Sequence, residues 1–288
     1  MLKGKIININ SSKYIVDIDG MPYDAVLRGI FRKEGITPLV GDIVDFDESK
    51  KQIVKIYERR NSLNRPNIAN VDIALIITST KRPDLDLNLL DKLIVNITNS
   101  DITPLIIFTK TDLLNDKEYR KFEKIKEYYE NLGYGAILNT ELDKFKSLVK
   151  GKILVCCGQT GAGKSTFINK LSSVLNLETK EISDVLGRGV HTTRYVSLYH
   201  IEDFFIADTP GFSALDLKTL DEEQIRNGFI EFSDYECKYR DCNHINTDGC
   251  KITPEVGNTI LESRYENYKK FIKEQNESSS KLFKKWWL

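Results

Sequence analysis

The sequence predicts a multidomain α/β protein: a small β-barrel, a central parallel-sheet domain and a helical domain stapled by a metal. Three observations carry this. Five short strand-like runs crowd the first sixty residues. From about residue 63, continuous apolar runs alternate with helical periodicity and lead into Gly158-Gln159-Thr160-Gly161-Ala162-Gly163-Lys164-Ser165. Beyond residue 221 the chain turns polar, gathers three cysteines and a histidine within fourteen positions, and ends in an amphipathic helical pattern.

The 288 residues leave room for two or three domains. Lys+Arg and Asp+Glu are both 42, so net charge offers no argument for a nucleic-acid or membrane partner. With 41% hydrophobic and 29% charged residues, the composition suits a folded globular chain rather than a disordered one. No apolar run approaches the roughly 20 residues that span a bilayer. Met1-Leu2-Lys3-Gly4-Lys5 lacks the apolar core of a signal peptide. A cytoplasmic location is therefore expected, where cysteines serve as thiols or metal ligands rather than disulfides.

In residues 1–62 the runs Lys5–Ile9, Lys13–Ile18, Tyr23–Leu27, Asp42–Phe46 and Gln52–Ile56 are partly alternating and separated by turn residues such as Asp19-Gly20. Five such strands fit a barrel of the oligonucleotide-binding type. Arg28, Arg32 and Lys33 surround Phe31 in the third connection. Basic groups beside an aromatic ring suit RNA contact, and a solvated charged loop is the equal alternative.

Residues 63–220 form the central domain. Val71–Thr78 and Pro104–Phe108 read as strands buried on both faces. Leu85–Thr98 and Asn115–Leu132 have helical spacing, Tyr134–Leu138 is a further strand, and Lys144–Val149 is a short helix. The apolar run Ile153–Cys157 then feeds the Gly-rich octapeptide, and a helix follows from Thr166. Strand, Gly-rich turn and helix start together are what a phosphate-binding loop requires. Glycines let backbone N–H groups close on phosphate oxygens, and the helix N-terminus adds positive potential. Lys164 is expected to reach the β- and γ-phosphates, and the Ser165 hydroxyl to join a Mg²⁺ shell. The expected nucleotide contacts are Gly158, Gln159, Thr160, Gly161, Ala162, Gly163, Lys164, Ser165 and Thr166. Strands near Tyr195–Ile201 and Phe204–Ala207 complete a sheet with helices on both faces.

Thr109-Lys110-Thr111-Asp112, at a strand end, resembles the guanine-specificity motif of GTPases, with Thr109 where Asn is usual. The Asp112 carboxylate would accept from guanine N1–H and the exocyclic amine, and the Lys110 stem would cover the base. Adenine in that position would leave the carboxylate unpaired, at a cost of about 1–3 kcal/mol. Asp208-Thr209-Pro210-Gly211 matches the Mg²⁺ and γ-phosphate sensor: Asp208 would hold Mg²⁺ through water, and the Gly211 amide would meet the γ-phosphate. Between it and the P-loop, Gly187–Thr193 stands where a first switch belongs, with Thr193 preferred over Thr192 as the Mg²⁺ ligand. The guanine motif precedes the P-loop instead of following it, so the GTPase reads as circularly permuted.

Cys237-x4-Cys242-x-His244-x5-Cys250 is a Cys₃His set for one closed tetrahedral Zn²⁺. Cys156 and Cys157, in the strand before the P-loop, read as small buried side chains. The terminal stretch Lys281–Leu288 is basic and aromatic and is expected to fray after Ser278-Ser279-Ser280.

A barrel, a permuted GTPase and a Cys₃His domain together resemble RsgA, the ribosome small-subunit-dependent GTPase family. Specific stretches are Arg28–Lys33, Ile36–Asp42, Arg65-Pro66 with Ile68–Asp72, Gly187–Arg194, Asp208–Phe212 and Cys237–His244. The resemblance implies GTP hydrolysis stimulated by the small (30S) ribosomal subunit during its late assembly, contact with its rRNA, a monomer and no membrane. A nucleotide-gated RNA- or ribosome-binding switch with incidental turnover is the alternative. Ras-like enzymes orient the attacking water with a Gln after Asp-x-x-Gly. Phe212 stands there, and the resemblance implies His191 in that role, beside Lys164. Val190 occupies a position often basic in the family, and Asn139-Thr140-Glu141 carries no clear guanine-edge motif.

Overall fold

The computed structural model describes residues 1–64, 66–174, 196–208 and 217–286. The first five strands are β1 (Leu2–Asn10), β2 (Lys13–Ile18), β3 (Met21–Leu27), β4 (Ile43–Asp47) and β5 (Gln52–Ile56). They run in the order β1-β2-β3-β5-β4, and β4 returns to pair with β1, which closes the barrel. Alternate residues fill its interior: Ile6, Tyr14, Val16, Ala25, Val44, Phe46 and Ile53 pack as one cluster. The pairing of β1 with β2 shifts register between Ile6 and Asn8. Ile6 faces the barrel and Ile7 the neighbouring domain's core, as strand alternation gives, while Ile9 beyond the shift packs against both.

The third connection is helical where a loop was expected: α1 (Gly29–Lys33) follows β3. Phe31 is only 7% exposed, so its ring is not offered to a base. An apolar ring gains more from burial than from exposure to water. The side chain of Arg32 lies outside the described set. Arg28 and Lys33 remain exposed, joined by Ile30.

A hairpin of two three-residue strands, β6 (Ser62–Asn64) and β7 (Asn67–Ala69), links the barrel to the central sheet. That sheet comprises β8 (Ile73–Ser79), β9 (Thr103–Thr109), β10 (Gly135–Leu138), β11 (Ile153–Gly158), β12 (Ser197–Ile201) and β13 (Phe204–Asp208). The order is β10-β9-β8-β11-β13-β12, parallel except for β12. Every residue of β8 is buried, as its unbroken apolar run requires.

Helices α2 (Leu87–Thr98) and α3 (Asp116–Asn131) cover one face, with Leu90, Leu93, Ile94, Phe122 and Tyr129 in its core. Helices α4 (Leu142–Val149) and α5 (Lys164–Val174) cover the other, through Phe145, Val149, Phe167 and Leu171. Asn115 caps α3 in a reciprocal capping box with Glu118, and Asp86 caps α2.

The remainder contains α6 (Glu222–Asn227), short 3₁₀ turns and the long α7 (Glu262–Trp286). Helix α7 continues past Ser278–Ser280 to Trp286, although fraying was expected after those serines. Serine costs a helix only about 0.5 kcal/mol, and Glu277 and Lys281 flank the run with better formers. No described helix is long and apolar enough to cross a membrane.

Candidate nucleotide site and metal centre

Three loops leave the carboxyl ends of the adjacent strands β9, β8 and β11, where open parallel sheets bind ligands. Gly158 ends β11 at φ +122, and a Cβ there would lie 2.0 Å from the Ile77 carbonyl oxygen. Only glycine lets the loop leave the sheet so close to β8. Gly161 and Gly163 also hold positive φ, so the backbone curls before α5 begins at Lys164. Lys164 Nζ folds over this curl and donates to the carbonyls of Gly158 (3.0 Å) and Gln159 (2.8 Å). Burial draws its pKa below the ordinary lysine value. Ser165 is half-buried and Thr166 exposed in the first turn of α5, where free backbone donors face anions.

Thr109 ends β9, and its Oγ1 donates to the Ala162 carbonyl at 2.6 Å. Lys110 adopts φ +60, and its Nζ reaches the Gly161 carbonyl at 2.8 Å and that of Arg82. Asp112 stands exposed in the 3₁₀ turn Thr111–Leu113. The structure thus brings Thr109 and Lys110 to the P-loop across about fifty residues of sequence separation, with Asp112 two positions beyond Lys110. At the next strand end, Asn139 N–H donates to the Phe108 carbonyl, and Glu141 accepts from the Leu138 amide. The turn at 139–141 therefore sits beside the end of β9.

Sequence reasoning did not find the loop after β8. Thr80 donates twice to the Thr109 carbonyl, at 3.1 Å from both its N–H and its Oγ1. Gln159 Nε2 donates to the Asp84 carbonyl at 3.3 Å, while its Oε1 is buried with no partner among the described residues. The available signal was topological, since the strand between two motif-bearing strands must place its own loop between theirs. Asp208 ends β13 and pairs with Ser197. His191, Thr192, Thr193 and Gly211 lie outside the described residues.

Cys237, Cys242, His244 and Cys250 converge, with ligand atoms all within 4.8 Å of one another. His244 Nδ1 lies 3.5 Å from the Cys237 sulfur and 3.8 Å from that of Cys250. Around tetrahedral Zn²⁺, usual bond lengths place a sulfur and a nitrogen about 3.6 Å apart, so the set fits that ion. The Lys251 amide donates to Cys237 Sγ at 3.3 Å. Tyr265 and Tyr268 on α7 donate to the carbonyls of His244 and Asn243, each at 2.7 Å, and pin the ligand loop. Burial first, and Arg226 second, lower the His244 pKa, which keeps the imidazole neutral for a metal. Cys156 and Cys157 are apart from this set, on β11, and burial raises the pKa of both thiols, that of Cys156 to about 12.

The family model described as RsgA GTPase matches residues 56–218, more than half of the chain, and the RsgA N-terminal domain matches residues 3–54. The chain belongs to the RsgA GTPase family. It is accordingly a GTP hydrolase, a class that works on GTP with Mg²⁺. Among curated relatives it is 42% identical to the small ribosomal subunit biogenesis GTPase RsgA of Streptococcus pneumoniae, across 99% of both chains. A protein of the same name from Staphylococcus haemolyticus is 41% identical, over 98% of this chain and 99% of that one.

Two solved structures share the fold. One is YloQ, described as a circularly permuted GTPase (32% identity, TM-score 0.82, 96% of each chain). The other is YjeQ from Thermotoga maritima (29%, TM-score 0.82, 95% and 98%). The motif order that pointed to permutation is thus matched by the fold of a permuted enzyme.

Proposed function

We propose that this chain hydrolyses GTP when bound to the small ribosomal subunit, late in that subunit's assembly, and that the subunit stimulates turnover. The observation that carries this is end-to-end similarity to relatives named for small-subunit biogenesis. The chain then works in the cytoplasm as a monomer, holding GTP or GDP and touching rRNA. Its division is residues 1–62, 63–220 and 221–288.

Within the site, Gly158–Thr166 cradle the phosphates. Lys164 exchanges its two loop carbonyls for β- and γ-phosphate oxygens, which are stronger, charge-assisted acceptors. Asp112 reads guanine, Lys110 covers it, and Thr109 fixes the loop that presents both. Ser165, Thr193 and Asp208 would hold Mg²⁺, which would neutralise phosphate charge when bound. Gly211 meets the γ-phosphate and His191 orients water. Catalysis is positioning and electrostatics, as phosphoryl transfer requires. One Zn²⁺ sits on Cys237, Cys242, His244 and Cys250 as a structural ion.

The deciding measurement is GTP turnover with and without purified small subunits, with large subunits as control. Stimulation by small subunits alone is expected, and equal turnover in all three would overturn the reading. His191→Ala should keep nucleotide affinity while losing stimulated turnover.

A further inference from the structure

The central sheet would end at β12, whose outer edge would expose unpaired backbone groups. The barrel covers that edge with β1, through a single registered pair, Asn8 with Ser197. Their side chains reinforce it, as Asn8 Nδ2 donates to Ser197 Oγ at 2.7 Å. On its other side Ser197 pairs with Asp208. Asn8, Ser197 and Asp208 therefore form one row across three strands.

The contacts around this row are firm. Ile7 and Ile9 pack on the central core beside Leu198 and Phe205. Lys5 Nζ lies 3.8 Å over the Phe205 ring, which stacks on His200. A Cβ at Gly20, in the β2–β3 turn, would sit 3.5 Å from His200. Burial holds Lys5 below its ordinary pKa, against the pull of Asp72 and Asp17.

We infer that Asn8, a barrel residue, is a positioning residue for the GTPase: by holding Ser197 it fixes the strand register that presents Asp208 to Mg²⁺. The barrel so becomes part of the enzyme's metal response as well as a domain of its own. This rests on the reading of Asp208 as the Mg²⁺ sensor. A β-strand reads a neighbour's register at one row more sharply than across a loose interface, because a slip reverses every side chain. The row here is the first of β12 and the last of β13, where the strands are least restrained by further pairing.

The test is the Mg²⁺ dependence of GTP turnover in the full-length protein. Removing one neutral hydrogen bond predicts that Asn8→Ala and Ser197→Ala raise the Mg²⁺ concentration for half-maximal turnover about two- to tenfold. Nucleotide affinity in EDTA should stay unchanged. Ser197→Thr keeps the hydroxyl and should restore the parental midpoint. Lys5→Met loosens barrel docking without touching the row and should leave the midpoint in place.

A parental midpoint in both alanine variants would overturn the inference. So would an equal shift in Lys5→Met, which would assign the effect to docking at large. Asp208→Asn separates the two levels. If it leaves Mg²⁺ dependence intact, the sensor reading falls; if it shifts the midpoint while Asn8→Ala does not, only the role of Asn8 falls.

Discussion

Thr109 Oγ1 lies 2.6 Å from the Ala162 carbonyl oxygen, so the guanine motif and the P-loop are joined by a buried hydrogen bond. The hydroxyl's single proton goes to this P-loop carbonyl, with the Thr78 carbonyl the more distant acceptor at 3.4 Å. Its contribution to nucleotide binding is thus indirect, through the relative placement of the two loops. Thr109→Val keeps the shape and removes the donor. Affinity for GTP and GDP should fall together by about two- to tenfold, the worth of one neutral hydrogen bond. Titration with a fluorescent guanine nucleotide measures this. A loss confined to GTP would contradict the indirect role, because the γ-phosphate would then be what Thr109 serves.

Asp112 makes the complementary case, since its carboxylate is exposed and free to meet a base. Asp112→Asn replaces an acceptor pair with one acceptor and one donor. Guanine then faces a mismatched amide, whereas xanthine offers a carbonyl to the new N–H₂. GTP affinity should drop about tenfold or more while xanthosine triphosphate gains. Competition binding with both nucleotides checks it, and parental preference in the variant would remove Asp112 as the base reader.

The metal centre predicts about one Zn²⁺ per chain, measurable by elemental analysis under non-chelating conditions. Cys242 is 4% exposed and packs in the same cluster as Phe229, Phe232 and Tyr268. Cys242→Ala should release the ion and lose local structure around the ligand loop, because zinc binding in small sites is folding energy. Nucleotide affinity should persist, since none of the described P-loop contacts reaches this cluster. Tyrosine fluorescence would report the loss of the Tyr265 and Tyr268 bonds to the ligand loop. A zinc-free protein with parental fluorescence would refute the assignment.

Much of this was legible in the chain, because the motifs are local. The P-loop spans eight residues and the Cys₃His set fourteen, and the permuted order is simply the sequence in which such short motifs occur. The five barrel strands and the alternating central elements followed from hydrophobic period alone. The β6–β7 hairpin escaped because its three-residue strands are too short to show alternation. Phe31 was misjudged because a five-residue helix has no readable period, so a buried ring looked like an exposed one. The Thr109–Ala162 bond spans 53 positions, and no local pattern announces it. Arg264 is the clearest case: it reads as one charge among many on an amphipathic helix, yet it is fully buried.

The final prediction concerns that arginine. Arg264 on α7 donates to Asp91 on α2 at 2.8 Å and grips Glu231 through two nitrogens at 2.9 Å each. Tyr129 and Asn267 also donate to Asp91, each at 2.6 Å, and Tyr128 donates to Glu231. The network thus fastens the zinc-bearing part of the chain to α2 and α3 of the GTPase. Burial works against the guanidinium charge, but the two carboxylates outweigh it and hold the Arg264 pKa well above its ordinary value.

Arg264→Met fills similar space and strands both acids. Breaking a buried pair in this way costs about 3–5 kcal/mol. The sign of the pH effect follows from Asp91, whose pKa is raised by burial with Arg264 as the chief opposing influence. Without the arginine the folded value rises further above the unfolded one, near 3.9. A raised folded pKa gives stability that is complete below the unfolded value and is lost as pH climbs through the folded one. The variant's deficit should therefore be smallest in acid and widen toward neutral pH. Urea unfolding of both proteins at pH 5 and pH 7.5 reads it out directly. An equal gap at the two pH values would mean that the stranded carboxylates are not what destabilises the variant, and that lost packing alone accounts for the cost.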